Sequence, residues 1–305
     1  VIQLNIALDW TPNINHIGIF IAKEKGFFKE YGIEINILSP IDDNYLLTPG
    51  KKLELGIAEL ALAPFETVIS LNNKPKNFDA IAVYAILQQD ISAIVTLKSS
   101  GISRPSEMAG KIYASYAARY EDAIVKIMTV ADGIKTPFKV TYPNKLGIWN
   151  TLLSGHADAT WIFDNWEGEE ARTQGIELHS FKLSDYGIPY CYSPVIIGQK
   201  SRLDKSKELY LHSLFAIKKG YEYIYKNPDE ALSILGKYVS ETDKGRINLA
   251  KAFSASLPYF GNEICGYIDK ARIQLFLKWL VENGLESEKI LEQHLFENVL
   301  SKTDL

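Results

Sequence analysis

An α/β fold is predicted for this chain: two doubly wound lobes around a central cleft, with a helical C-terminal region. Three observations predict it. Apolar and amphipathic segments alternate from residue 2 to residue 181, as strands and helices do when they wind into layers. The strand segments are near-continuous apolar runs, the pattern of a largely parallel sheet covered on both faces. The pattern also runs twice. Leu53-Glu54-Leu55-Gly56-Ile57 and Ala157-Asp158-Ala159-Thr160-Trp161 each set an acidic residue between small or apolar ones beside a glycine-containing turn.

In the first half, residues 2–8 read as a strand, 18–29 as a helix stopped at Tyr31-Gly32, and 33–38 as a second strand. Residues 51–58 form a turn into a short strand, and 64–72 a helix with Pro64 suited to its first turn. The apolar run 79–87 is a long strand, and 93–97 leaves the lobe, followed by a loop at 99–102. The second half restarts with a strand at 111–114, a helix at 121–130 stopped by Asp132-Gly133, and a strand at 138–142. A helix at 146–153, a strand at 159–163, a helix at 166–174 and a strand at 177–181 complete it. Residues 195–198 read as the return crossing. Helices at 207–225, 228–238, 244–257 and 273–283 follow, with breaks at Asn227-Pro228 and Gly236. The tail 286–305 is amphipathic, then polar. The expected division is a discontinuous first lobe, 1–94 with 195–305, and a second lobe, 95–194, with hinges at the crossings 93–97 and 194–198.

Composition narrows the function. With 33 basic and 37 acidic residues and a net charge of −4, nothing points to nucleic acid. No apolar segment approaches the roughly 20 residues that cross a bilayer. Cys191 and Cys265 fit neither a metal pattern nor a disulfide framework; they read as one bridge or as two buried thiols. The five histidines show no metal-ligand spacing, so no metal site is expected. The chain opens on a strand with no basic or apolar leader, which implies a cytoplasmic protein or a mature, exported form.

The run Leu8-Asp9-Trp10-Thr11-Pro12-Asn13-Ile14-Asn15-His16-Ile17-Gly18 joins the first strand to the first helix, where α/β proteins present ligand groups. Asp9, Trp10, Asn13 and His16 bring a carboxylate, a stacking face, an amide and an imidazole into one turn. That set suits a flat, polar, nitrogen-rich small molecule. Singly, Asn13 or Asn15 reads as a helix cap and His16 as a structural hydrogen-bonding residue. Glu66, Asp164 and Glu167 join Asp9 near the cleft and favour a neutral or amine-bearing ligand. Trp10, Tyr84, Trp161, Trp166 and Tyr190 are candidate stacking faces, although aromatic residues fill cores as readily. Ser115 and Arg119 are candidate anion contacts, but their loop lacks the glycines of a phosphate cradle.

The run Asp9-Trp10-x-Pro12-Asn13-x-x-His16-x-Gly18, the helix end Lys25-Gly26-Phe27-Phe28, the turn Gly32-Ile33 and the segment Trp166-Glu167-Gly168 resemble the thiamine-pyrimidine binding and synthesis family (NMT1/THI5-like). That family includes bacterial pyrimidine-binding proteins of precursor uptake and fungal thiamine-pyrimidine synthases. The resemblance implies the type II periplasmic-binding-protein fold. Its synthases carry a lysine that forms an internal aldimine with pyridoxal phosphate, a histidine four residues on, and a cysteine cluster. Here Ala58 and Leu62 stand where the lysine and histidine are expected, and the run 186–193 holds only Cys191.

With those departures, the resemblance implies a binding protein rather than an enzyme, without cofactor. It would be a monomeric solute-binding protein of an ABC uptake system, periplasmic or lipoprotein-anchored, capturing a thiamine-related aminopyrimidine by lobe closure and delivering it to a membrane permease. The alternatives are a pyridoxal-phosphate-dependent synthase-like enzyme, or a binding protein for a flavin or alkylsulfonate. An aminopyrimidine offers an exocyclic amine donor and ring-nitrogen acceptors. A carboxylate accepting from the amine contributes on the order of 1.5–3 kcal/mol. Glu167, beside Trp166, is the first candidate; otherwise it is an acidic residue favoured at a helix start.

Overall fold

The computed structural model describes residues 1–300; the last five positions of the predicted tail lie outside them. Among the described residues, ten strands form two five-stranded sheets. In chain order they are β1 (Ile2–Ala7), β2 (Ile33–Leu38), β3 (Leu60–Ala63), β4 (Ala80–Ala85), β5 (Ser92–Leu97), β6 (Ile112–Ala114), β7 (Lys139–Thr141), β8 (Ala159–Phe163), β9 (Leu178–Phe181) and β10 (Val195–Gln199). The first sheet has the order β2-β1-β3-β10-β4 and the second β7-β6-β8-β5-β9.

The two sheets share one plan, although the echoing segments do not coincide in it: residues 53–57 end a helix and turn toward β3, whereas 157–161 enter β8. In each, a parallel trio is followed by an antiparallel strand: β10 runs against β3 and β4, and β5 against β8 and β9. The sheets are therefore mixed rather than largely parallel. An apolar run reports that both faces are covered, not the direction of its neighbours, so β4 gave no warning of its antiparallel partner.

The crossings also differ from expectation. Residues 93–97 and 195–198 lie inside β5 and β10, so the connections between sheets are 86–91 and 182–194. The Arg272 guanidinium ties them together, donating to the backbone carbonyls of Gln88 and Cys191 while lying 4.3 Å from the Tyr192 ring centroid.

Other elements follow from local chemistry. The expected turn at 51–58 is largely a short helix, Pro49–Glu54, because Thr48 accepts a hydrogen bond from the Lys51 amide and Pro49 fits the first turn. The segment 244–257 splits into Glu241–Arg246 and Leu249–Ser256, each with its own cap, Ser240 and Asn248. The tail, read as amphipathic, instead contains a short 3-10 turn, Glu288–Glu292. It then hydrogen-bonds to Ala82 through Leu295 and Glu297, covering the edge of the first sheet. Both cysteines are free and buried; burial pushes the Cys265 thiol up to about 12.

Behind the first sheet, the helix Ile17–Glu24 packs on the long helix Lys207–Lys226. Glycines permit the approach: a Cβ on Gly220 would stand 1.9 Å from the Gly18 carbonyl oxygen. This contact fixes the helix that begins directly after the Asp9–His16 turn.

Candidate functional site

A cavity of about 320 Å³ is lined by residues that follow the carboxyl ends of β1 and β3 in the first sheet and β6 and β8 in the second. Ligand sites of open α/β sheets form at such ends. Of the predicted residues, Asp9, Trp10, Asn13, Glu66, Arg119, Trp161, Trp166, Glu167 and Tyr190 line it.

The turn after β1 is built on its own hydrogen bonds. Asn13 caps the short helix that follows, its side-chain oxygen accepting from the Asn15 amide at 2.8 Å and its side-chain amide donating to the Thr11 carbonyl at 2.9 Å. The Asn13 amide donates to His16 Nδ1 at 3.2 Å. That fixes the tautomer: Nε2 carries the proton and donates to Asp9 Oδ1 at 2.7 Å. His16 is therefore not a ligand contact. It is wholly buried and orients Asp9 from below, because its position in the first turn aims the ring inward.

Aromatic rings from both sheets meet across the opening. Trp10 lies 5.8 Å from Tyr45 and packs edge-on against Tyr116 at 5.6 Å. Trp161 packs against Tyr190 at 5.2 Å. Tyr45 adopts a left-handed backbone, φ 58°, a conformation that costs a non-glycine residue energy and collects at functional sites. Its hydroxyl donates to the Asp9 carbonyl at 2.7 Å. Asn165 holds the loop after β8 in place, donating to Asn15 Oδ1 at 2.8 Å and Ser256 Oγ at 2.9 Å.

Two buried carboxylates face this cavity. Glu66 is 3% exposed. Tyr190 donates to its Oε1 at 2.8 Å, and its Oε2 has no partner among the described residues. Glu167 accepts the Phe163 amide at 3.0 Å on Oε2. Burial pushes both carboxyls from 4.5 up to about 7, because removing a carboxylate from water disfavours its charged form.

Three further expectations are overturned. Tyr84 is a core residue, 1% exposed and stacked on Tyr221 at 6.0 Å; β4 is buried along its whole length and turns this ring toward the helix layer. Asp164 is exposed and paired with Arg172 at 3.0 Å, so it belongs to the outer surface. Ser115 is buried, its hydroxyl oxygen accepting from the Ala117 amide at 3.0 Å. Arg119 reaches the rim, where its Nε and Nη2 donate to Glu286 at 3.1 and 2.7 Å.

Sequence reasoning missed Asn15, Tyr45, Tyr116, Glu121 and Lys145, all lining residues. One signal existed for Tyr45: the connection from β2 to β3, residues 39–59, is long, and long connections carry function. Glu121 organises its loop from inside, accepting from the Tyr116 and Ala118 amides at 3.0 and 3.1 Å and from the Tyr113 hydroxyl at 2.8 Å. Lys145 lies 5.1 Å from the Tyr45 ring centroid. Burial draws its ammonium below the usual lysine range. Ala58 and Leu62 are buried and away from the lining, which reaches β3 at Ala63 and Pro64. Among the described residues, no cluster of three or more potential metal ligands forms.

Known proteins agree with this architecture. The alkanesulfonate-binding protein SsuA of Xanthomonas axonopodis pv. citri superposes with a TM-score of 0.70 at 11% identity, over 95% of this chain and 96% of that one. The fold is thus that of periplasmic binding proteins. The formylaminopyrimidine-binding protein of Halalkalibacterium halodurans is 26% identical over 235 residues, 76% of this chain and 69% of that protein. A 4-amino-5-hydroxymethyl-2-methylpyrimidine phosphate synthase of Saccharomyces cerevisiae is 24% identical over 249 residues, 75% of this chain and 69% of the synthase. Residues 13–231 match the family described as NMT1/THI5 like, and on that match, over most of its length, the chain belongs to the NMT1/THI5-like family.

Proposed function

We propose that this chain is a solute-binding protein of an ABC uptake system, capturing a thiamine-related aminopyrimidine and presenting it to a membrane permease. It acts as a monomer outside the cytoplasm, without a cofactor. The two lobes, one built on each sheet, close on the ligand by bending at the connections 86–91 and 182–194. The likeness to a formylaminopyrimidine-binding protein and the periplasmic-binding-protein fold support this reading.

The observation that carries it is the pair of buried carboxylates, Glu66 and Glu167, set among Trp10, Trp161 and Tyr190 in one cavity. A carboxyl poised near neutrality accepts from an exocyclic amine and shares a proton with a ring nitrogen, a two-point contact. The aromatic walls contribute stacking. A synthase reading fits less well. Lys145 supplies an amine, but the amides of Tyr116, Ala117 and Ala118 are already bonded to Glu121 and Ser115. No backbone cradle is left there for a cofactor phosphate.

Isothermal titration with 4-amino-5-hydroxymethyl-2-methylpyrimidine tests the proposal. Glu167→Gln keeps the acceptor for the Phe163 amide and loses the charge. Binding is expected to weaken at least about tenfold with the cooperative unfolding of a folded protein retained. Unaltered affinity removes Glu167 from the site; absence of binding to any aminopyrimidine by the natural protein overturns the function.

A further inference from the structure

The cavity wall has a polarity that the aminopyrimidine reading does not use. Its acidic groups are Asp9, Glu66, Glu121 and Glu167; its only cations among the described residues are Arg119 and Lys145. Arg119 is taken by Glu286 and by the Tyr120 hydroxyl. Among the described residues no carboxylate oxygen lies within 4 Å of the Lys145 ammonium, although Glu121 of the same wall attracts it from farther off. Its ammonium lies over the Tyr45 ring, carried on a turn whose cap, Asn144, accepts from the Leu146 amide at 3.1 Å. The lysine comes from the second sheet's half of the chain and the tyrosine from the first, so the two meet across the cleft.

An ammonium held at a cavity wall with no carboxylate in hydrogen-bond range is short of acceptors. It has three donors and no lone pair, and the ring face beneath it supplies attraction but no oxygen. The neighbouring loop shows which acceptor suits it. A phosphate brings three oxygens and close to two charges, and would need several donors at once. The loop amides of Tyr116, Ala117 and Ala118 are spent internally, and Arg119 is neutralised. One free ammonium matches one uncharged oxygen, such as the carbonyl of a formylamino group.

We propose that Lys145 is a specificity-determining residue: it donates to a carbonyl oxygen on the ring substituent of the ligand and so selects acylaminopyrimidines over their alkyl and phosphorylated counterparts. This rests on the aminopyrimidine reading and extends it. The amine end of the ligand meets a carboxylate, and the substituent end meets the lysine.

The test compares three ligands by isothermal titration: 4-amino-2,5-dimethylpyrimidine, its 5-formamidomethyl analogue, and the phosphate ester of the 5-hydroxymethyl analogue. The natural protein is expected to bind the formamide at least about tenfold more tightly than the dimethyl compound, and the phosphate ester no better than the dimethyl compound. In Lys145→Met, which keeps an apolar stem on Tyr45, the formamide advantage should collapse to within about twofold while the affinity for the dimethyl compound is kept. Lys145→Arg should restore part of it. Persistence of the advantage in Lys145→Met overturns the assignment, as does tightest binding of the phosphate ester by the natural protein. Loss of the dimethyl compound as well as the formamide in a folded Lys145→Met protein means a structural role and also overturns it. If the natural protein binds none of the three, the aminopyrimidine reading and this inference fall together; if it binds the dimethyl compound but Lys145 does not discriminate, only the inference falls.

Discussion

Between about pH 5 and pH 7.5 the ligand-free protein is expected to lose stability, and the Glu66→Gln/Glu167→Gln double variant is expected to lose much less. Both carboxyls titrate near 4.5 when exposed and near 7 when folded. In that window the folded state binds more protons than the unfolded one, so stability falls as pH rises. It is fully present below about 4.5 and lost as pH passes through about 7. Such a displacement corresponds to about 3 kcal/mol for each carboxyl. Glu121, Asp90 and Glu170 are also raised by burial and repel Glu66 and Glu167, so the double variant keeps a residual pH dependence from them. Urea denaturation across the window gives the readout. Parallel curves for the two proteins would mean that Glu66 and Glu167 are solvated in the free protein, and that the cavity does not hold them poised for a donor. A saturating aminopyrimidine should flatten the natural protein's curve, because an amine donor offsets the cost of the buried charge.

The second large effect concerns the scaffold. Gly220→Ala is expected to destabilise by about 2–3 kcal/mol, measured as a lower denaturation midpoint. The added Cβ meets the Gly18 carbonyl oxygen at 1.9 Å and the Ala22 amide nitrogen at 3.1 Å. Both are backbone atoms of a packed helix, so no side chain can swing aside. The higher helix propensity of alanine, about 1 kcal/mol, works against this clash without cancelling it. Gly236→Ala is the control. It lies in the helix Pro228–Tyr238, a Cβ there meets nothing within 4 Å, and the same propensity term should stabilise it. Stabilisation by both would show that the two helices pack less closely than the contact between Gly18 and Gly220 implies. Because the helix Ile17–Glu24 follows the turn that carries Asp9 and Trp10, Gly220→Ala should also weaken ligand binding among the molecules that remain folded.

Parts of the site were legible because their signals are local. Asp9, Trp10 and Asn13 stand in one turn after an apolar strand, and Trp166 and Glu167 stand where another strand gives way to a helix; all five line the cavity. Each helix from residue 207 to residue 238 was legible from periodicity and from the Asn227-Pro228 break. Misreadings arose where a side chain's direction decides its role. His16 and Tyr84 carry the right chemistry but point into the core. Asp164 sits three residues before Glu167 and faces solvent, paired with Arg172. Sequence spacing sets such residues close together without saying which way each one turns.

The order of residues by itself determined the alternation of strands and helices, the two-lobed plan and the aromatic, acidic turn after the first strand. These follow from nearest-neighbour chemistry: capping, glycine stops and the hydrophobic period. Only the tertiary structure decided that β5 and β10 cross into their sheets antiparallel. It also brought Tyr45 and Tyr116 together around Trp10, set Glu66 against Tyr190, and placed Lys145 over the Tyr45 ring at the cavity wall. Those pairings join segments 35 to 124 positions apart. Their energies depend on burial and on which competing partner is already taken, and neither quantity exists until the chain has folded.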